Sequence, residues 1–160
     1  MRGAYLGPSG TFSEDALRQS GFAGSDFTPV LCDTGSDVVS AVSRGEADRA
    51  LAPIENSIEG SIRPTLDGLA EAAAGTVIVG EYDHEIRSAL IARAGLRMEE
   101  ITAVVSHPQP LAQCALFLRT ALPDAELKVA TSTSAAVREV ASGDQPWAAL
   151  GPARAAALYD

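Results

Sequence analysis

The sequence predicts an α/β protein built from two lobes, and two observations support this fold class. Short apolar runs alternate with segments of helical periodicity, which is the pattern of βα units around a mostly parallel sheet. A β-rich stretch over residues 76–92 then follows a helix that ends at Gly75, and we interpret it as the crossover between lobes. The 160 residues, 46% of them hydrophobic, suffice for one globular domain or two small lobes.

The elements expected before Gly75 begin with a strand at residues 4–6. Thr11 and Glu14 have the spacing of a capping box, which predicts that a helix begins there. The remaining elements of this part are a strand at residues 27–31, a helix at 36–44, a strand at 49–52, a loop at 53–60 and a helix at 64–74.

The second half repeats the alternation of strands and helices. Its elements are β-rich segments at 76–82 and 88–92, strands at 103–105, 127–130 and 148–150, a helix ending near residue 142, and a terminal helix starting at Gly151-Pro152. A further helix after residue 106 carries a stripe expected to be buried, formed by Leu111, Cys114, Ala115 and Leu118. These elements predict a first lobe of about residues 1–74 plus 148–160 and a second lobe of about residues 75–147.

Charge and composition exclude several classes of partner. The chain has 12 Lys and Arg residues against 21 Asp and Glu, and its net charge of −9 repels nucleic acid and anionic membranes. No apolar run approaches the roughly 18 to 20 residues of a membrane span, and the N-terminus lacks the apolar segment of a signal peptide. We therefore expect a cytoplasmic protein with no nucleic-acid or membrane partner.

The cysteines and histidines do not predict a metal site. Cys32 and Cys114 are expected to be reduced thiols, because they are far apart in a chain without a secretory signal. Together with His84 and His107 they form no zinc-like spacing. We expect no bound metal.

Four polar loops each follow a predicted strand and precede a predicted helix. They are the loops at residues 7–13, 53–60, 106–109 and 131–134. Ligands of open α/β sheets bind at the carboxyl ends of strands, and the helix N-termini there offer N–H groups to a carboxylate or phosphate. The sequence therefore indicates a small anion held by neutral donors.

Several of these residues also have a purely structural interpretation. Ser106 with Gln109 fits a capping box, residues 131–134 are good N-caps, and His107 before a proline suits a cap or a backbone contact. Asn56 is the only Asn of the chain and is either a turn residue or a ligand contact. Its neighbours Glu55 and Glu59 are candidate general acids.

Eight stretches in order along the chain resemble one family. They read LGPSGTFSE at residues 6–14, PIENSIEGS at 53–61, TLD at 65–67, IVGE at 78–81, SHPQPLAQC at 106–114, TSTSA at 131–135, AALG at 148–151 and LY at 158–159. With these motifs the chain resembles the catalytic domain of the prephenate dehydratases, enzymes of phenylalanine biosynthesis.

The resemblance implies a fold like the type II periplasmic-binding proteins, with the ligand in a cleft between two lobes. It implies conversion of prephenate to phenylpyruvate with loss of carbon dioxide and water, without metal or organic cofactor, and in a homodimer. Carried over onto this sequence, the substrate-binding residues are Thr11, Phe12, Ser13, Asn56, Ser57, Gly60, Gln109, Thr131, Ser132 and Thr133.

The resemblance leaves the general acid open. In the family this acid is a Thr of a Thr-Arg-Phe motif beyond the segment matched by Leu158-Tyr159-Asp160, and a phenylalanine-binding ACT domain usually follows. Neither is among these 160 residues, so Glu55 and Glu59 are the candidates within the chain. Two alternatives to a dehydratase are a prephenate decarboxylase with a non-aromatic product and a non-catalytic module that binds a small acid.

Overall fold

A computed structural model describes residues 1–58, 60–72 and 76–159 of the chain. The chain divides into two compact units, Met1–Glu85 and Ile86–Asp160. Each unit contains its own sheet with helices packed on it, so the predicted α/β class is confirmed. Among the described residues, no helix is long and apolar enough to cross a membrane.

The first unit is built on a parallel sheet. Its elements are β1 Arg2–Leu6, α1 Phe12–Ser20, β2 Thr28–Cys32, α2 Gly35–Ser43, β3 Arg49–Leu51, β4 Glu55–Asn56, β5 Gly60–Ser61 and α3 Arg63–Glu71. The strand order is β2-β1-β3, and Tyr5 of β1 is paired with Leu31 on one side and Leu51 on the other. The central position of β1 places the loop that follows it in the middle of the sheet edge.

The two faces of this sheet are covered by different helices. Successive residues of a strand point to opposite faces, and in β1 these are Ala4 and Tyr5, both fully buried. Ala4 packs in a cluster with Val38 of α2, whereas Tyr5 packs with Leu17 of α1. The sequence alternation of β1 therefore anchors both flanking helices.

The second unit has a mixed sheet. Its elements are β6 Ala89–Ala92, a 3-10 helix Met98–Glu100, β7 Ala103–Ser106, α4 Pro108–Gln113, α5 Ala115–Ala121, β8 Glu126–Val129, α6 Thr133–Ser142, β9 Trp147–Gly151 and α7 Ala153–Tyr159. The strand order is β6-β9-β7-β8, with β7, β8 and β9 parallel and β6 antiparallel to β9. This unit also has the expected mostly parallel character.

The predicted assignment of residues 148–160 to the first lobe is wrong. Strand β9 lies between β6 and β7 in the second sheet, and Ala148, Ala149 and Leu150 are buried there on alternating faces. One face of β9 is covered by Leu118 of α5 and the other by Val137 of α6, so the helices of the second unit bury both faces of this strand.

The predicted lobe boundary near Gly75 also differs from the structure. The first unit extends to Glu85, and the β-rich residues 76–82 form no strand there.

Tyr82 of this segment lies against α1, where its hydroxyl donates to the Gln19 side chain at 3.3 Å. Val77, Ile78 and Val79 are each more than half exposed. Their β propensity does not make a strand here because these residues pair with no described neighbour.

Two local features differ from the sequence interpretation. The predicted loop at residues 53–60 contains a short antiparallel hairpin, in which β4 pairs with β5. The single helix expected after residue 106 is broken at Cys114 into α4 and α5, although Leu111 and Leu118 of the predicted stripe are buried as expected. The last predicted residues of the helix at 64–74, and Gly75, lie outside the described residues.

Candidate functional site

Each unit presents polar loops at the carboxyl ends of its parallel strands. In the first unit the loops after β1 and β3 leave the same edge of the sheet, because the two strands are parallel neighbours. In the second unit the loops after β7, β8 and β9 do the same. The structure thus divides the predicted site residues into one set per unit.

The loop after β1 is closed by hydrogen bonds at the start of α1. The Thr11 hydroxyl donates to the Leu6 carbonyl at 3.0 Å and accepts from the Glu14 amide at 3.4 Å. The Glu14 carboxylate accepts from the Gly10 amide at 2.8 Å rather than from Thr11, so the predicted capping box is shifted by one residue. Thr11 therefore acts as an N-cap, as its spacing predicts.

Phe12 and Ser13 form the first turn of α1. Their amides have no acceptor within the helix, because the first N–H groups of any helix lack one. Both side chains are half-buried. The Phe12 ring lies 6.4 Å from the His84 ring, which in turn lies 6.1 Å from the Tyr82 ring. The sequence offered no signal for this neighbour, because His84 is seventy-two positions away from Phe12, in the stretch interpreted as the crossover between lobes.

In the hairpin after β3, the Asn56 side chain forms part of a turn. Its Oδ1 accepts from the Ile58 amide at 2.9 Å, which is the geometry of an Asx turn. Ser57 is exposed in the turn, and Gly60 has a φ of +81°, a conformation that favours glycine. Asn56 itself does not adopt a positive φ. Glu55 is exposed, and Glu59 lies outside the described residues.

Thr65 positions this hairpin and was not predicted to do so. It is 1% exposed, and its hydroxyl donates to the Pro53 carbonyl at 2.7 Å. At the same end of the hairpin, the Ile62 amide donates to the Ile54 carbonyl at 2.8 Å. The hairpin is therefore attached to the N-terminal turn of α3, and the TLD stretch of the family resemblance was the only sequence signal for it.

In the second unit, the predicted capping box of Ser106 and Gln109 is wrong. The Ser106 hydroxyl is buried and donates to the Leu150 carbonyl at 2.7 Å, across the sheet. His107 is the N-cap of α4 instead, with its Nδ1 accepting from the Gln109 amide at 3.4 Å. The cap role considered for His107 is thus confirmed, and the half-buried Gln109 lies in the first turn of α4.

The loop after β8 ends at the first turn of α6. Ser132 is the cap, and its hydroxyl accepts from the Ala135 amide at 3.0 Å. Thr131 is exposed and lines a cavity of about 500 Å³ beside the Arg138 side chain. Thr133 begins the helix and is half-buried. The Ser134 hydroxyl is buried with no hydrogen-bond partner in the described chain.

Each unit, taken by itself, carries neutral hydrogen-bond donors of the kind that hold an anionic organic acid. The first unit carries Thr11, Phe12 and Ser13, with Asn56, Ser57 and Gly60 in its hairpin; the second unit carries Gln109, Thr131, Ser132 and Thr133. Within residues 1–58, 60–72 and 76–159, no group of three or more His, Cys, Asp or Glu side chains could hold a metal ion.

The fold and its loops define a two-unit α/β protein with polar groups at its strand ends. Comparison with known proteins then identifies the family. The sequence profile of the prephenate dehydratase family matches residues 4–160. The chain belongs to the prephenate dehydratase family.

Relatives of known function agree with this assignment. The prephenate dehydratase of Mycolicibacterium vanbaalenii is 40% identical over 152 residues, covering 88% of this chain and 48% of the relative. The bifunctional chorismate mutase/prephenate dehydratase of Escherichia coli is 36% identical over 160 residues, covering 98% of this chain and 40% of the relative. The chain thus spans about half the length of the curated relatives it matches, or less.

Solved structures share the fold. The prephenate dehydratase of Arthrobacter aurescens, solved in complex with L-Phe, has a TM-score of 0.77 and 33% identity, covering 99% of this chain and 52% of that one. GqqA, described as a novel type of quorum quenching acylase, has a TM-score of 0.85 and 26% identity, covering 99% of this chain and 56% of that one. The predicted fold is therefore that of prephenate dehydratase structures.

Proposed function

We propose that this chain binds prephenate and serves its conversion to phenylpyruvate in phenylalanine biosynthesis. The observation that carries the proposal is the family match over residues 4–160. The polar loops support it, because they collect neutral hydrogen-bond donors where an α/β sheet binds its ligands. We also propose a homodimer, as the family resemblance implies, and a location in the cytoplasm.

The binding groups are proposed to be mainly backbone amides and hydroxyls. The first-turn amides of α1 and α6, with the hydroxyls of Ser13, Thr131 and Thr133, suit the carboxylates of prephenate. Thr11 and Ser132 contribute to binding by capping α1 and α6, because the hydroxyl of each accepts a hydrogen bond from a first-turn amide. The hairpin residues Asn56, Ser57 and Gly60, together with Gln109, complete the proposed set.

The reaction requires a proton for the departing hydroxyl. The C–O bond and the bond to the ring carboxylate break, the electrons of the latter complete the aromatic ring, and carbon dioxide and water leave. Prephenate and one proton thus become phenylpyruvate, carbon dioxide and water. Glu55 and Glu59 stay the candidate acids within this chain; Glu55 is exposed on the hairpin beside Asn56.

The acylase likeness does not favour a second function. Acyl transfer by a serine or threonine needs its hydroxyl hydrogen-bonded to a base. Among the described residues, no Ser or Thr hydroxyl hydrogen-bonds to a histidine, and His107 Nδ1 is occupied by the Gln109 amide. The Thr34 hydroxyl donates to the Asp37 carboxylate at 2.7 Å, but Thr34 is the N-cap of α2 and its oxygen accepts from the Asp37 amide.

Calorimetric titration with prephenate, followed by analysis of the products, tests the proposal. We expect saturable binding that is weakened about tenfold or more by Thr133→Val, because a hydrogen bond to a charged group is lost. Ser43→Ala is the matched control, since its exposed hydroxyl donates only to the Ser40 carbonyl of α2.

The products separate the alternatives. Phenylpyruvate supports a dehydratase, a non-aromatic dihydro product supports a decarboxylase, and binding without turnover supports a non-catalytic module. Absence of prephenate binding by the wild-type chain contradicts the proposal.

A further inference from the structure

The Glu14 side chain is a buried carboxylate beneath the loop after β1. The residue is 4% exposed, and its two oxygens face different donors. One oxygen accepts from the Gly10 amide at 2.8 Å, and the other accepts from Arg18 Nε, also at 2.8 Å. A buried carboxylate needs such partners, because its desolvation is costly without them.

Arg18 is itself fixed by packing on the sheet. Its guanidinium lies 4.7 Å from the centre of the Phe27 ring. Phe27 meets the fully buried Tyr5 of β1 edge to face, with 6.2 Å between the ring centres. The carboxylate of Glu14 is therefore held by Arg18 of its own helix, which packs on Phe27, and by the Gly10 amide of the preceding loop.

This anchoring determines which amides at the start of α1 remain for a ligand. The Glu14 carboxylate accepts a hydrogen bond from the Gly10 amide. Gly10 has a φ of +81° and lies in the turn that leads into α1. The Thr11 hydroxyl accepts a hydrogen bond from the Glu14 amide. Between these two occupied amides, the N–H groups of Phe12 and Ser13 are the first-turn donors without an acceptor in the helix.

We propose that Glu14, held by Arg18, is a positioning residue that fixes the loop so that the Phe12 and Ser13 amides meet the ligand carboxylate. This inference rests on the proposed function, because it names the residue that orients the proposed prephenate-binding amides. Glu14 does not touch the ligand; it acts through the Gly10 amide.

The test compares Glu14→Gln with the wild type. Glutamine offers one acceptor oxygen and one donor amide, so it cannot accept from both Gly10 and Arg18. Asp37→Asn is the matched control: Asp37 occupies the same third position of α2, its amide also donates to a capping threonine, and its half-buried carboxylate accepts from the hydroxyl of that threonine. Both variants remove one negative charge from a helix N-terminus.

Two measurements separate positioning from a general loss of stability. Amide hydrogen exchange compares the Gly10 amide with the amide of Tyr5 in the core strand. In Glu14→Gln we expect Gly10 to exchange at least about tenfold faster while Tyr5 changes little, and prephenate binding to weaken about tenfold or more. In Asp37→Asn, Gly10 exchange and binding should stay within about twofold of the wild type.

Each other outcome overturns the inference. Equal acceleration at Gly10 and Tyr5 means a global loss of stability, and faster Gly10 exchange with unchanged prephenate affinity means that the loop needs no positioning. Arg18→Lys is the second variant, which keeps the positive charge but loses the guanidinium geometry. If Glu14→Gln does not fold, Arg18→Lys must show faster Gly10 exchange and weaker prephenate binding, with smaller changes in both. If the wild type binds no prephenate, the proposed function fails, while unchanged Gly10 exchange would separately refute the contact with Glu14.

Discussion

Replacing Thr11 with valine tests the assignment of this residue as a helix cap. Valine keeps the shape of the side chain but removes the hydroxyl that donates to Leu6 at 3.0 Å and accepts from Glu14 at 3.4 Å. Loss of an N-cap hydroxyl costs about 0.5 to 2 kcal/mol. The additional loss of the bond to the Leu6 carbonyl places the expected cost in the upper part of that range, at about 1 to 2 kcal/mol.

The expected change is a lower melting temperature, with prephenate binding weakened by less than about tenfold. For a chain of this size 1 kcal/mol corresponds to about 2 to 4 °C, so Thr11→Val should lower the Tm by about 2 to 8 °C. Thr11→Ser retains the hydroxyl and should stay within about 2 °C of the wild type. Melting curves followed by circular dichroism measure both variants, and calorimetry at 15 °C measures prephenate binding to the folded proteins.

Two results would refute this reasoning about Thr11. An unchanged melting temperature in Thr11→Val would mean that the hydroxyl does not stabilise the helix start. A loss of prephenate affinity beyond tenfold, with the Tm unchanged, would instead place the hydroxyl in direct contact with the ligand.

The remaining predictions concern the hairpin and the opposite edge of the first sheet. Asn56→Asp keeps the oxygen that accepts from the Ile58 amide, so the Tm should stay within about 2 °C of the wild type. The added negative charge should weaken binding of anionic prephenate about tenfold in a calorimetric titration. Equal affinity of the two proteins would remove Asn56 from the proposed site. Hydrogen bonds from the Arg2 side chain and backbone lower the pKa of Asp48 from 3.8 to about 2. Because the folded-state pKa is the lower one, the stabilisation is present above about pH 4 and is lost as the pH falls towards 2. Urea unfolding at pH 5 and pH 2.5 should therefore show a smaller pH effect in Asp48→Asn than in the wild type, and an identical effect would contradict the pairing.

Much of the architecture could be predicted because hydrophobic periodicity reports burial directly. The strands β1 and β9 carry small or apolar residues that are mostly buried in the structure, whereas β2 buries only Cys32; all three predictions lie within two residues of the observed ends. The assignment of β9 to a unit could not be predicted this way. Periodicity indicates that a strand is buried on both faces but not which strands lie beside it.

The short hairpin and the segment after it show a different limit. Strands β4 and β5 have two residues each, too few to produce an alternating pattern, and their pairing depends on the Asn56 turn and the positive φ of Gly60. Val77 to Val79 have strong β propensity but pair with no described strand. Propensity favours a strand only where a neighbouring edge is available.

At the candidate site, the sequence indicated which polar loops follow the strands but not the partner of each polar group. A serine or threonine before a helix can cap it or bind a ligand, and both roles select the same residue types. Thr11 and Ser132 are caps, whereas the Ser106 hydroxyl bonds across the sheet to Leu150. The Glu14–Arg18 pair was accessible from its i,i+4 spacing, but its contact with Gly10 depends on the path of the loop.

The central claim is that prephenate binds at the carboxyl ends of the strands, and amide chemical shifts recorded during a prephenate titration test it most directly. The account predicts saturable shifts for the amides of Phe12, Ser13 and Thr133, which lie in the first turns of α1 and α6. The amide of Asp48, at the opposite end of the first sheet beside Arg2, should not shift. Unchanged Phe12, Ser13 and Thr133 signals at saturating prephenate, or shifts concentrated around Asp48, would contradict the account.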